Sequence, residues 1–217
     1  MSHPQRAYIP AAGHDFLLPF YDPLNRLLGV TALHDELIAE AHLEPGHRVL
    51  DVGCGTGSLA VRIRVHHPQV EVVGLDPDAK ALAIARRKAN RAGVPLRFEQ
   101  GYGDTLPFDD AAFDRVTSSM MLHHLDLPTR RGMLREVLRV LRPGGSLHLL
   151  DFGRSEEGSR RFRPRLLHSA EDLRENSDSR MAVLLAEAGF EAVERVTARR
   201  TLLGRVAFHR GRKRAAD

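Results

Sequence analysis

The chain has 217 residues, 42% hydrophobic and 28% charged, with a formal net charge of +4, the balance of one globular domain with a core of its own. Its single cysteine, Cys54, excludes an internal disulfide and a multi-cysteine metal site, and fits a reducing cytosol. No stretch approaches the roughly 20 apolar residues of a membrane span, and the opening "MSHPQRAYIP" lacks the layout of an export signal. A cytoplasmic protein with no membrane span is expected.

The first 46 residues read as helices, chiefly "YDPLNRLLG" and "TALHDELIAEAHL". From there short apolar runs alternate with helical stretches. "RVLDV" (48–52) reads as a buried strand and "SLAVRIRV" as the helix after it. "VEVVGLD" (70–76) is a second, valine-rich strand. The alanine-rich stretch 78–93 predicts a helix with Asp78 as N-cap and Gly93 as terminator. "LRFEQ" (96–100) and "FDRVTSS" (113–119) are the third and fourth strands. Leu134, Val137, Leu138 and Leu141 form an apolar stripe at helical spacing, with Pro128 in its first turn. "RPGG" (142–145) ends that helix and turns into the strand "SLHLLDF". "MAVLLAEAGF" (181–190) supplies a last helix, followed by "EAVERVTA" and "GRVAFHR" as final strands. This alternation predicts an α/β fold with a largely parallel sheet.

Two basic runs, "RRFRPR" (160–165) and "RGRKR" (210–214), carry eight of the 32 basic residues. Such patches can hold nucleic acid or anionic lipid. Arginine is scattered along the whole chain, however, and only three basic residues are lysine. The runs are therefore read as compositional, and no nucleic-acid partner is expected. The breaker-rich stretch 153–165 is the one long polar loop and is read as a substrate-side loop.

Asp51 followed by Gly53, Gly55 and Gly57 is too many glycines for an ordinary turn. In open α/β sheets, ligands bind at the carboxyl ends of strands, where a glycine turn lets backbone approach them. Gly55, Gly57 and Ala60 satisfy the dinucleotide spacing G-x-G-x-x-A, and Asp76 lies 19 residues after Gly57, near the position of a ribose-binding acid. A Walker loop is excluded, since no Gly-Lys-Ser/Thr follows. Asp51 separates the remaining ligands: a carboxylate at the mouth of the loop repels a pyrophosphate but suits S-adenosylmethionine, whose amino group and sulfonium are positive.

"LDVGCGTG", "GLDPD", "GYGDTLPFDDAAFD" and "LRPGG" follow in an order and spacing that resemble the class I methyltransferases. "YDPLNRLLGVTALHDELIAE", "LLDFG" (149–153) and "AGFEAVERVTARRTLLGRVAFHRGRK" are similar to the two ends of the ubiquinone and menaquinone C-methyltransferases, so the resemblance runs from about residue 20 to 213. It implies a doubly wound, mostly parallel seven-stranded Rossmann-like sheet (47–217), an N-terminal helical lid (1–46) and S-adenosyl-L-methionine as cofactor. Two departures bear on the substrate: the segment between Asp151 and the last helix is shorter than in those enzymes, and "MMLHHL" is closer to general small-molecule methyltransferases.

The resemblance places the methionine end of the cofactor against Asp51, Gly53, Gly55 and Gly57, and the ribose on Asp76 beside Pro77. The adenine amino group falls to Asp104, with Tyr102 and Thr105 nearby, and Ser119 joins the site from the end of the fourth strand. Tyr21 either closes over the cofactor or packs. Cys54 reads as a small filler of the loop. His123 and His124, just past the fourth strand, are candidate bases, because histidine titrates near neutrality; the rival role is capping the next helix. The other histidines, His66 and His67 among them, read as surface. No metal is called for. The expected activity is methylation, at carbon or oxygen, of a small cyclic apolar molecule of quinol, phenol or polyketide type. A lipophilic substrate would allow peripheral membrane contact. The alternatives are an RNA or protein methyltransferase, for which no Asn-Pro-Pro-Tyr is present, and a cofactor-binding protein with lost or exchanged chemistry.

Overall fold

The computed structural model describes residues 18–153, 178–202 and 204–216. The strands are β1 (Arg48–Val52), β2 (Glu71–Asp76), β3 (Arg97–Gln100), β4 (Phe113–Ser119), β5 (Leu141–Phe152), β6 (Glu191–Thr201) and β7 (Gly204–Arg212). They form one sheet in the order β3-β2-β1-β4-β5-β7-β6. β3 through β5 run parallel, and β7 is antiparallel to both of its neighbours. The helices are α1 (Leu18–Leu27), α2 (Val30–Glu40), α3 (Ser58–His66), α4 (Ala79–Arg91), α5 (Leu127–Val140) and α6 (Asp178–Glu187), with a 3-10 turn at Leu122–His124. Among the described residues no helix is long and apolar enough to cross a membrane.

β1 lies centrally, so both of its faces are covered, and after Arg48 its sequence is an apolar run broken by Asp51. On one face Leu33, Leu37 and Ile38 of α2 join Leu59 and Ile63 of α3 and Leu82 and Ala85 of α4 against Val49, Val72, Leu150 and Phe208. On the other, Met133, Leu134 and Val137 of α5 and Leu184 and Leu185 of α6 pack on Leu50, Val52, Val116, Leu147 and Leu149. Of the N-terminal helices, α2 is thus part of a core layer.

The helix ends follow local chemistry. The Asp78 carboxylate accepts from the amides of Lys80 and Ala81, and Gly93 ends α4 at φ +66. Asp126 caps α5 through the Thr129 amide. At the other end of α5, the Lys213 ammonium donates to the carbonyls of Arg139 (3.2 Å) and Leu141 (2.7 Å). Arg210 pairs with Glu194, and Arg214 with Glu191. The run 210–214 is therefore tied into the fold, whereas 160–165 lies outside the described residues. Leu141 departs from the expected helical stripe. α5 stops at Val140, and Leu141 is already extended and pairs with Phe113 before the register shifts to Arg115 opposite Ser146.

A polar row crosses the α2-covered face of the sheet. Asp51 pairs with Thr117, Thr117 with His148, His148 with Arg210, and Arg210 with Glu194. Its central members are buried, and His148 bonds to Ser146 at 2.9 Å. This corrects the surface reading of the histidines: His34, His148 and His209 are all buried, while His66 is exposed as expected. The two strand histidines face helices because β5 and β7 are interior strands of the sheet. His34 lies on the inward side of α2. Burial, with Arg62 nearby, depresses His34 to about 4; burial, with Arg115 and Arg210 nearby, depresses His148 to about 3. Both are neutral at physiological pH.

Candidate active site

The carboxyl ends of β1, β2, β4 and β5 line up along one edge of the parallel sheet, and the chain leaving each strand builds the site. After β1 the backbone turns through three left-handed glycines, Gly53 (φ +72), Gly55 (φ +52) and Gly57 (φ +73). The Gly53 and Cys54 amides donate to the Leu75 carbonyl at 2.8 and 3.0 Å, pinning the turn to the end of β2. Gly57 is required for packing: a Cβ there would lie 2.7 Å from the Ala85 Cβ of α4. Cys54 is buried beside it, its thiol pushed well up by burial and by the charges of Asp51 and Asp76. It is a filler, as expected, and no thiolate nucleophile.

Two carboxylates frame this turn. Asp76 accepts from the Gly55 amide (2.8 Å) through Oδ2 and from the Asp78 amide (2.9 Å) through Oδ1. Burial lifts it to about 6 despite those bonds. Asp51 is 2% exposed; its Oδ1 accepts from Thr117 Oγ1 at 3.0 Å, and its Oδ2 is buried with no hydrogen-bond partner. Burial, reinforced by Asp76, lifts it to about 7. A buried carboxylate oxygen without a donor is costly and calls for a cationic or N–H ligand. A positively charged amino group, such as S-adenosylmethionine carries, is chemically of that kind.

At the end of β4, Met120 adopts a left-handed φ of +54, a strained conformation for a side chain of its size. The reversal turns the chain so that Met121 covers Gly53, with its Cγ 2.4 Å from where a Cβ would stand. The 3-10 turn then carries His123 to the end of β5, where its Nδ1 lies 2.6 Å from Asp151 Oδ1 and its amide donates to Asp151 Oδ2. Burial alone would raise Asp151, but the His123 ring and the amides of Phe152 and His123 hold it below the usual carboxylate range. An ionised acceptor at Nδ1 requires the proton there and leaves the lone pair of the neutral ring on Nε2. Phe152 meets His123 edge-on at 4.8 Å between ring centres, and the His124 ring lies tilted against it at 4.0 Å. Beneath the turn the buried Arg130 donates to the carbonyls of Leu122 (2.9 Å) and Leu125 (2.8 Å), fixing its height.

Asp51 and Asp76 thus flank the three glycines, with Gly55 bonded to Asp76, and His123 and His124 share the 3-10 turn after β4. Pro77 follows Asp76, its carbonyl accepting from Gln100 Nε2. Asp104 lies beyond β3 against Gly132 of α5, next to the exposed Thr105. Ser119 Oγ is 3.1 Å from His34 Nε2. The Tyr21 side chain lies outside the described residues. Asp151, Arg130, Met121 and Asp22 were not among the expected residues. The only advance signal for Asp151 was an acid ending an apolar strand, the pattern that singled out Asp76.

Residues 49–145 match the family model described as a methyltransferase domain. Over 139 residues the chain is 40% identical to a demethylmenaquinone methyltransferase of Deinococcus radiodurans, covering 63% of this chain and 57% of that protein. It is 40% identical over 124 residues to the 27-O-demethylrifamycin SV methyltransferase of Amycolatopsis mediterranei, covering 56% and 44%. It therefore spans only about half the length of these two relatives. A ubiquinone/menaquinone biosynthesis C-methyltransferase of Ectopseudomonas mendocina is 32% identical over 220 residues, covering 89% of this chain and 84% of that one. Among solved structures, the [4+2]-cyclase SpnF superposes with a TM-score of 0.71 at 23% identity, covering 86% and 81%. A SAM-dependent methyltransferase of Methanosarcina mazei gives 0.69 at 24%, covering 82% and 98%. This sheet order, with a glycine turn between two buried acids, is the Rossmann-like fold of the class I methyltransferases. Within that class, the chain belongs to the family of the ubiquinone/menaquinone biosynthesis C-methyltransferases.

Proposed function

We propose that this chain transfers the methyl group of S-adenosylmethionine to a small, cyclic, rather apolar acceptor of quinol, phenol or polyketide type, at carbon or oxygen. The observation that supports the reading is the buried Asp51 carboxylate, one oxygen without a partner, beside a turn of three left-handed glycines. Relatives named for menaquinone precursors and for a rifamycin suggest the acceptor class.

When bound, S-adenosylmethionine supplies a methyl carbon already activated by the sulfonium. The chain's own contribution is then largely orientation, which can account for about 7–11 kcal/mol of such a barrier. Asp51 would hold the amino group, Asp76 the ribose, and Asp104 the adenine edge. His123, its Nδ1 bonded to Asp151, would act through Nε2 to take a proton from a phenolic or hydroquinone hydroxyl. Asp151 is then a positioning residue, and Arg130 keeps the turn that carries the ring at its height.

The test is mass spectrometry of ligand retained by the purified protein, followed by radiolabelled methyl transfer to a panel of quinols, phenols and polyketide-like acids. Retention of S-adenosylmethionine or its demethylated product, with label in one acceptor class, supports the reading. Tighter binding of NAD than of S-adenosylmethionine refutes it.

A further inference from the structure

Asp22 of α1 lies 34 residues before Thr56 in the chain and yet sits on the glycine turn. Its Oδ1 accepts from the hydroxyls of Thr56 (2.7 Å) and Ser58 (2.8 Å), the second being the first residue of α3. Its Oδ2 lies 2.6 Å from the Lys88 ammonium of α4. Lys88 donates in turn to the same two hydroxyl oxygens, at 3.2 Å to Thr56 and 2.7 Å to Ser58. The circuit is closed: both hydroxyl protons go to the carboxylate, and all three ammonium protons have acceptors. Lys88 and its three partners belong to α4, the glycine turn, α3 and α1, so one set of bonds ties four segments together.

The circuit has one removable member. Thr56, Ser58 and Lys88 are fixed by the turn and by two core-packed helices. From Asp22 to Leu27, the described side chains of α1, the hydrogen bonds to the rest of the molecule run through Asp22. The outward residues of α1, Leu24 and Leu27, are 52% and 78% exposed and add little grip. Without Asp22, a half-buried ammonium would face the positive N-terminal end of α3 with hydroxyls as its only acceptors, an unfavourable arrangement. Thr56 would lose its anchor between two left-handed glycines, the part of the turn freest to change shape.

We propose that Asp22 is a positioning residue for the cofactor: it seats α1 on the glycine turn and holds that turn in its binding shape, so that release of the cofactor requires this carboxylate to let go. The proposal rests on the reading above that the turn holds S-adenosylmethionine.

It is tested on the full chain with Asp22→Ala and the gentler Asp22→Asn, which keeps an acceptor for the hydroxyls but loses the charge facing Lys88. Labelled S-adenosylmethionine is bound and its dissociation followed after a chase of unlabelled cofactor, well below the melting temperature. Amide hydrogen exchange is followed in parallel without cofactor. Dissociation should be on the order of tenfold faster in Asp22→Ala and intermediate in Asp22→Asn. Exchange should rise over residues 22–28 and 53–58 and stay unchanged in α2 and β1. A lowered melting temperature with wild-type dissociation would make Asp22 a structural staple and overturn the proposal. If the wild type binds no S-adenosylmethionine, the methyltransferase reading falls and exchange alone decides: unchanged protection at 53–58 in Asp22→Ala refutes the seating of α1 on the turn, and its loss upholds it.

Discussion

Asp51→Asn separates what the site requires from what the fold prefers. Burial lifts the Asp51 carboxyl from 3.8 to about 7, so its ionised form is disfavoured in the ligand-free fold. The stability linked to this group is full below its unfolded pKa and is lost as pH rises through about 7. At about 1.4 kcal/mol per pH unit, the ionised carboxylate costs the ligand-free protein on the order of 4 kcal/mol near pH 8, and less than half of that near pH 5. Asparagine keeps the acceptor for Thr117 but places an amide proton pair where Oδ2 has no partner, a loss of about 1–3 kcal/mol. The variant should therefore match the wild type near pH 5 and exceed it by about 1–3 kcal/mol near pH 8. For a chain of this length that is a rise of roughly 2–10 °C in Tm. It should also bind S-adenosylmethionine about 10- to 100-fold more weakly, having lost a charge-assisted bond. Thermal unfolding of both proteins at the two pH values, with calorimetric titration of the cofactor, reads all three quantities. A stability difference that does not change with pH would refute the assigned burial cost, and an undiminished affinity would refute the role of Asp51 in binding.

Asp76→Ala should weaken cofactor binding by about 1–3 kcal/mol and free the Gly55 and Asp78 amides, which calorimetry and amide exchange will show; unchanged affinity would remove it as the ribose acid. His123→Gln should lower the single-turnover rate on a phenolic acceptor on the order of 10²–10⁴-fold with cofactor affinity unchanged. A wild-type rate in the glutamine variant would leave the ring as packing. Asp151→Asn should lower the rate in the same direction and alter the pH profile, whereas a purely structural role would leave the profile as it is. Gly57→Ala forces a left-handed backbone and a 2.7 Å clash with Ala85, and urea unfolding should show a loss of about 2–4 kcal/mol.

The order of helices and strands was legible because each has its own signal: Asp78 and Gly93 bracket α4, Pro128 opens α5, and valine fills β2. The glycine turn and its two acids were legible because they are local, each a few residues from a strand end. The Asp22 circuit joins residues 22, 56, 58 and 88, and no spacing rule connects four segments whose meeting depends on how α1 lies. Asp151 gains its meaning only when β5 is placed beside β4 and the 3-10 turn brings His123 across. The buried histidines misled for another reason. Polar residues at strand positions suggest a solvated face, yet β5 is covered on both sides, and His148 is satisfied by Ser146 two residues away on the same face.

The polar row from Asp51 to Glu194 bears on how the strands find their partners. Hydrophobic patterning alone accepts any slip of two residues, because such a slip returns every side chain to its own face. Here a two-residue slip between β4 and β5 would set Thr117 against Leu150, and one between β5 and β7 would set His148 against Phe208. Each would strand buried polar groups against hydrocarbon, at about 1–3 kcal/mol apiece. Slips in that direction are therefore disfavoured at both interfaces of β5, and the native register avoids them. Asp51, which heads that row, therefore serves the candidate site and the alignment of the sheet at once.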